Sequence, residues 1–280
     1  MRQQFTLHSR EKTLNLGNRT AIMGVVNVTP DSFYDGGKYF DPTSAIEHSF
    51  KLADEGADIL DIGGQSTRPG SQPVGIEEEI SRVLPIVRAV RARSKIWISV
   101  DTYHSEVAKQ MLEEGADLIN DVSSFREDSR MPLVIARYSV PVVCMHFLHS
   151  IHPMPSNPQY ADLFGELIDF FKQTLSLAEQ NGAPRQQIIL DPGIGFGKTL
   201  EHNLKIIKNL SFLEAFGCPI LVGPSRKSFI EKITGLPASD RLEGTAAAAG
   251  VCLQQGAHIL RVHDVRFFRR YCDVLDALLS

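Results

Sequence analysis

The sequence has no apolar run of the roughly 20 residues that a helix needs to cross a bilayer. It therefore gives no reason to expect a membrane protein. The stretch Met1 to Lys12 is polar and contains no apolar signal core, so export is not expected either. Cysteine is scarce. The four residues Cys144, Cys218, Cys252 and Cys272 form no C-x-x-C pair, and each sits among apolar neighbours. Buried, reduced thiols are the expectation, and with them a cytoplasmic location. Positive charge is not in excess. Lys and Arg number 29 against 33 Asp and Glu, a formal net charge of −4. With no basic stripe on any predicted helix, a nucleic-acid partner is set aside. There is no linker and no low-complexity tract, and 280 residues suit one large α/β domain covering 1–280.

What is present is a rhythm. Short apolar, β-rich runs occupy residues 21–28, 57–62, 96–100, 118–122, 140–145, 187–190, 219–222 and 257–262. Near-continuous apolar character of this kind belongs to parallel strands covered on both sides. Helical patterns fill the gaps, at 44–55, 76–91, 105–114, 132–138, 161–180, 201–215, 240–255 and 265–279. Three segments echo one another: ADEGADILDIG, LEEGADLINDV and LQQGAHILRVH. Each runs from a helix end through glycine into a strand, the mark of a repeated βα module. Eight modules predict a closed (β/α)₈ TIM barrel of the α/β class, with an open doubly wound sheet as the alternative. Residues 4–16 alternate polar and apolar, which predicts an N-terminal β-hairpin (1–18) capping the barrel's N-terminal end.

Barrel enzymes build their sites at the carboxyl ends of the strands. Here those ends carry Asn27, Asp61, Asp101, Asn120, His146, Asp191, the run Ser225-Arg226-Lys227, and Arg261 with His263. Any one of them could be a helix cap. A whole ring of them is poorly explained that way. The loops after the first two strands are long and rich in Gly, Pro and Ser, as lids are. Thr67, Arg68, Arg261 and His263 supply donors for phosphate oxygens. With Asn27 they can hold a di- or triphosphate together with Mg²⁺. Asp101, Asn120, Asp191 and Lys227 form a second set, suited to a ring edge bearing amino and N–H groups. Residue types alone leave a pterin-like ring, a sugar and an amino acid open.

Two patterns mislead. DPGIGFGKT resembles a phosphate loop, but Pro192 stands where the Walker pattern needs its first glycine, and Lys198 where G-x-G-x-x-G needs its third. His146, His149 and His152 recur every three residues, but the segment leaves a strand and runs into prolines. A loop, rather than a zinc-binding helix, is the reading there.

In order along the chain, MGVVNVTPDSF, DIGGQSTRPG, SVDT, LINDVS, DPGIGFGKT, GPSRKSF and RVHDV resemble the successive signatures of the dihydropteroate synthase family, from Met23 to Val265. The resemblance implies a transferase of folate biosynthesis. Such an enzyme joins 6-hydroxymethyl-7,8-dihydropterin diphosphate to p-aminobenzoate, uses Mg²⁺, and works as a homodimer on small-molecule substrates. Carried over by motif, Asp101, Asp191, Lys227 and Arg261 are the catalytic set. The pterin site comprises Asp101, Asn120, Met145, Asp191, Gly195, Phe196, Lys227 and Arg261. The diphosphate falls to Asn27, Thr67, Arg68, Arg261 and His263, with Asn27 also on the metal. The p-aminobenzoate site takes Phe33, Thr67, Arg68, Pro69, Phe196, Lys227 and Ser228. Two departures stand out: Gln65 replaces the usual Glu of the second motif, and MHFLHS replaces an MHMQG-like stretch. The rival readings are a pterin-binding methyltransferase and an inactive pterin-binding barrel. The first lacks the TPDSF, STRPG and SRK segments found here, and no residue is missing that would betray the second.

Overall fold

The computed structural model describes residues 2–28, 42–65, 73–148 and 158–280. A two-stranded antiparallel hairpin comes first, β1 (Phe5–Ser9) and β2 (Lys12–Leu16). Eight parallel strands follow: β3 (Ala21–Asn27), β4 (Ile59–Gly63), β5 (Trp97–Asp101), β6 (Leu118–Asp121), β7 (Val142–Met145), β8 (Ile188–Asp191), β9 (Leu221–Val222) and β10 (Ile259–Val262). Their order, β8-β7-β6-β5-β4-β3-β10-β9, follows the chain around a ring. A parallel bridge between Leu190 and Ile220 closes the remaining seam. The TIM barrel expected from the rhythm is the fold, and the hairpin is where the alternation placed it.

Strand residues alternate between two environments. One residue from each barrel strand points to the axis in a single layer: Met23, Ile59, Trp97, Leu118, Val143, Ile189, Leu221 and Ile259. Leu7 and Leu16 of the hairpin pack into this layer, so the hairpin plugs the barrel floor. The outward residues, such as Ile22, Leu60, Ile98, Ile119, Val142, Leu190 and Leu260, meet the helices in the larger core.

Among the described residues the helices are α1 (Pro42–Asp54), α2 (Ile76–Arg93), α3 (Ser105–Glu113), α4 (Met131–Tyr138), α5 (Leu163–Gln180), α6 (Leu200–Lys208), α7 (Ser228–Thr234), α8 (Leu242–Gln254) and α9 (Val265–Leu279). Two differ from the sequence expectation. The pattern over 201–215 is not one helix. It stops at Lys208, and a 3₁₀ segment, Leu210–Phe216, continues it. Asn209 interrupts the run, and its side chain turns back to the Lys205 carbonyl at 2.8 Å. Helix α7 is additional. With only seven residues, it is too short to show an amphipathic period.

The echoed segments have a shared structural cause. Gly56, Gly115 and Gly256 have φ of 100°, 109° and 95°, which turns the chain out of each helix at little steric cost. Two residues later, Asp58, Asp117 and His258 each accept from the backbone N–H of a residue in or next to the neighbouring strand. The donors are Ile22 (2.8 Å), Ile98 (2.9 Å) and Ile220 (3.1 Å). The backbone N–H of the same three residues bonds back to those donors' carbonyls. The repeat therefore satisfies a strand-end donor that the barrel would otherwise bury unpaired.

Candidate active site

Moving two residues toward the carboxyl ends takes each axis-facing position about 7 Å up the barrel. On five strands this step exchanges an apolar side chain for a polar one. Ile59 gives way to Asp61, Trp97 to Ser99 and then Asp101, Leu118 to Asn120, Ile189 to Asp191, and Ile259 to Arg261 and then His263. The strand register sets Asn27 beside Gly63, Gly63 beside Asp101, and Asp101 beside Asn120, a row across four strands.

The hub of the mouth is Asp61, which is fully buried. Its carboxylate accepts from Ser99 Oγ (2.5 Å), Asn120 Nδ2 (3.0 Å) and Arg261 Nε (2.7 Å). Arg261 Nη2 reaches on to Asp101 Oδ2 at 2.9 Å. One guanidinium thus bridges two carboxylates, each through a separate nitrogen. Burial and the nearby Asp61 charge push the Asp101 carboxyl up to about 7, against the pull of Arg261. Burial raises Asp191 to about 6, although it accepts the Gly193 N–H at 2.7 Å. Burial and the Arg261 charge lower Lys227 to about 8. Its Nζ lies 4.0 Å from the centre of the Phe196 ring, a cation–π contact. Gly195 lies against the same lysine. Its φ of 83° favours glycine, and a Cβ there would come within 2.9 Å of Lys227 Cδ and push that side chain aside. Val122, Met145 and Phe147 form a small apolar cluster, with Tyr103, Phe170 and Phe196 packed against it.

At the opposite side of the mouth, His263 Nδ1 lies 2.9 Å from Ser225 Oγ, which also accepts the His263 backbone N–H at 3.3 Å. Burial and the Arg261 and Arg226 charges hold His263 down to about 4, so its ring is neutral near pH 7. The hydroxyl proton of the buried Ser225 is free to point at Nδ1. When it does, the ring proton sits on Nε2. Arg226, at φ 57°, is held by Asp264 (2.6 and 3.1 Å). Ser228 is exposed at the start of α7, and Asn27 is half-buried at the end of β3.

The structure therefore brings Asp101, Asn120, Asp191, Lys227, Arg261 and His263 to one end of the barrel. Asn27 and Met145 stand at the ends of β3 and β7, and Gly195, Phe196 and Ser228 follow β8 and β9. Phe33, Thr67, Arg68 and Pro69 lie outside the described residues, as do most of the two long loops and His149 and His152. His146 is buried and bonded to Lys198, and among the described residues no three His, Cys, Asp or Glu side chains gather as metal ligands would. Gln65, in place of the usual Glu, donates to Tyr103 Oη at 2.7 Å. Sequence reasoning placed Asp61 at a strand end but gave it no role. The signal for its role was available: a carboxylate inside an apolar strand must have a partner. Thr199, from the false phosphate loop, caps α6 by accepting the His202 N–H at 3.2 Å.

Comparison with known proteins agrees with this geometry. Residues 23–263 match the family described as pterin binding enzyme. The chain is 44% identical over 269 residues to the dihydropteroate synthase of Clostridium beijerinckii, covering 96% of this chain and 97% of that one. It is 41% identical over 259 residues to the dihydropteroate synthase of Escherichia coli, with 92% of each chain covered. Among solved structures it is similar to Xanthomonas albilineans dihydropteroate synthase with 4-aminobenzoic acid, at a TM-score of 0.92 and 38% identity over 99% of both chains. It is also similar to the Yersinia pestis enzyme in a sulfonamide drug complex, at a TM-score of 0.91 and 38% identity over 98% of this chain and 99% of that one. Likeness of this order along nearly the whole length, together with a polar barrel mouth at the seven motifs, means that the chain belongs to the dihydropteroate synthase family.

Proposed function

We propose that the barrel mouth condenses 6-hydroxymethyl-7,8-dihydropterin diphosphate with p-aminobenzoate, giving 7,8-dihydropteroate and pyrophosphate. The observation that carries this is the convergence of Asp101, Asn120, Asp191, Lys227 and Arg261 on one mouth, with Arg261 anchored to Asp61. The acceptors Asp101, Asn120 and Asp191 receive the amino and N–H groups of the pterin edge, and Lys227 supplies a donor. Arg261 lies over the pterin face, and Met145, Gly195 and Phe196 line the slot. His263, Asn27, Thr67 and Arg68 hold the diphosphate. Phe33, Pro69, Phe196, Lys227 and Ser228, with the second loop, frame p-aminobenzoate.

In the reaction the carbon–oxygen bond of the pterin methylene breaks, and its electron pair leaves with pyrophosphate. Arg261, Arg68 and neutral His263 stabilise the leaving charge by donating to its oxygens. The positive charge left on the pterin is delocalised over its ring and favoured by the Asp101 and Asp191 carboxylates beneath it. The aniline nitrogen then forms the new carbon–nitrogen bond and releases a proton. It is already a nucleophile, so no strong base is required.

Mg²⁺ fits this donor set as a substrate-borne ion. Among the described residues no acidic or imidazole cluster would cage it. The neutral amide oxygen of Asn27 would serve as one ligand, with diphosphate oxygens and water supplying the rest. The ion would neutralise diphosphate charge. Purified protein mixed with both substrates and Mg²⁺ is expected to form dihydropteroate and release pyrophosphate only when both substrates are present. No dihydropteroate under these conditions overturns the proposal.

Two further readings rest on the surface and the thiols. Val251 on α8 and Phe267, Val274 and Leu278 on α9 are exposed apolar side chains, and pairing of two protomers through these helices would cover them. Light scattering at micromolar concentration is expected to give twice the chain mass. Four free, buried cysteines suit a reducing cytoplasm. Among the described residues no helix is long and apolar enough to cross a membrane.

A further inference from the structure

The lysine of DPGIGFGKT has no part in the reaction set out above, yet it is buried with only 8% of its surface exposed. Its Nζ lies 3.0 Å from His146 Nδ1, 3.3 Å from the His146 carbonyl oxygen and 3.0 Å from the Phe196 carbonyl oxygen. These acceptors belong to two different loops, one leaving β7 and one leaving β8. As an ammonium, Lys198 donates to all three. Burial lowers its pKa to about 7. A neutral amine would still donate to both carbonyls and could accept from Nδ1–H, so the three contacts survive the loss of a proton. His146 itself is held neutral, since burial and the Lys198 charge push its pKa far down.

The loop is shaped around this contact. A Cβ on Gly193 would stand 2.0 Å from the His146 carbonyl oxygen and 3.2 Å from Lys198 Nζ. Asn203 Oδ1 accepts the Gly195 N–H at 2.7 Å, which holds the loop from the α6 side. Phe196, in the same turn, carries its ring to a cation of the mouth, with Lys227 Nζ 4.0 Å from the ring centre. The ammonium that a phosphate loop would turn toward a ligand is here turned into the protein.

We propose that Lys198 is a positioning residue. With His146 it clamps the loop after β8 onto the loop after β7, and so fixes the height and tilt of the Phe196 ring on which Lys227 rests. This rests on the proposed function only in taking Phe196 and Lys227 as substrate contacts. The clamp itself is a claim about the free protein.

The test has two arms. In the substrate-free protein, Lys198→Met is expected to move the NMR resonances of the Phe196 ring and amide and of the Lys227 side chain, while those of the hairpin stay in place. Unmoved Phe196 and Lys227 resonances overturn the clamp. In the steady state, Lys198→Met and Phe196→Ala are each expected to lower kcat/KM at least about tenfold, the scale of one lost hydrogen bond to a charged group. If Lys198 acts through Phe196, the double variant falls within about twofold of Phe196→Ala alone. Independent, multiplying losses overturn the inference. Should Lys198→Met fail to fold, His146 provides the second measurement. His146→Leu is expected to lower kcat/KM, and His146→Asn, which keeps an acceptor near the Nδ1 position, is expected to restore it. Equal rates for the two also overturn the inference. A wild-type protein that makes no dihydropteroate would instead sink the proposed function, and the spectra would still decide on the clamp.

Discussion

The axis-facing layer at Met23, Ile59, Trp97, Leu118, Val143, Ile189, Leu221 and Ile259 sits only one inward step below the layer containing Asp61, Ser99, Asn120, Asp191 and Arg261, on the same strands. The lower layer is wholly apolar and sealed by Leu7 and Leu16 of the hairpin. The mouth above it contains Asp101 and Asp191, whose carboxyls burial pushes toward neutrality, and a guanidinium that bridges Asp61 and Asp101. The difference teaches how a barrel divides its work. Apolar burial at the floor stabilises the fold without directional demands. At the mouth every buried polar group requires a partner, and the partners chosen leave hydrogen-bonding capacity directed at a ligand.

That division can be broken from the upper side first. Asp61→Ala removes the acceptor shared by Ser99, Asn120 and Arg261, so three donors in the mouth lose a partner and Arg261 keeps only Asp101. Such breaks cost about 3–5 kcal/mol, to be read from denaturant unfolding, with activity falling as well. Wild-type stability in this variant would show that the mouth is not held together through Asp61. From the lower side, Trp97→Ala should cost a similar amount, about 3–5 kcal/mol, through the cavity it leaves. It should leave KM for both substrates unchanged at temperatures where the variant is folded. A changed KM would mean that the two layers are not separable.

Two smaller effects would sharpen the comparison. Asp191→Ala is expected to weaken pterin binding by about 1–3 kcal/mol, measured by calorimetry, because a polar group of the ring edge loses its partner. The pH profile of kcat/KM reports groups of the free enzyme. Asp101, raised to about 7, gains a proton as the pH falls below that value and ceases to be a full acceptor. Lys227, lowered to about 8, loses its charge as the pH rises above that value. A narrow bell with limbs near these values follows, and Lys227→Arg should remove the alkaline limb. A flat profile from pH 6 to 9 would contradict both assignments. The smallest expected effect is that of Ser225→Ala. Releasing His263 Nδ1 should cost about 0.5–1.5 kcal/mol, read as a few-fold rise in KM for the pterin diphosphate.

Much of this arrangement is legible in the sequence alone. The eight strands come from near-continuous apolar runs, and the residues at their ends follow from the barrel rule. Neighbouring residues show where legibility stops. Asn120 and Asp121 both end β6 and are both polar. Asn120 faces the axis and bonds to Asp61 at 3.0 Å. Asp121 faces outward and holds the following turn by accepting from Ser123 and Phe125 N–H groups, each at 2.8 Å. In a strand this short, no period separates the two. Lys198 is a similar case. Its motif reads as a phosphate loop gone wrong, and only packing shows the ammonium turned inward to His146.

Local chemistry along the chain was enough to determine the alternation of strand and helix, the closing count of eight, the glycines that end three helices, and which residue types stand at the strand ends. These depend on interactions between residues a few positions apart, which a linear pattern records. Tertiary structure alone decided that Asp61 would be the hub, that Arg261 would bridge it to Asp101, and that Lys198 would join two loops. Those contacts unite side chains up to 200 positions apart. Their geometry depends on the register and curvature of a closed sheet, and no local pattern encodes either.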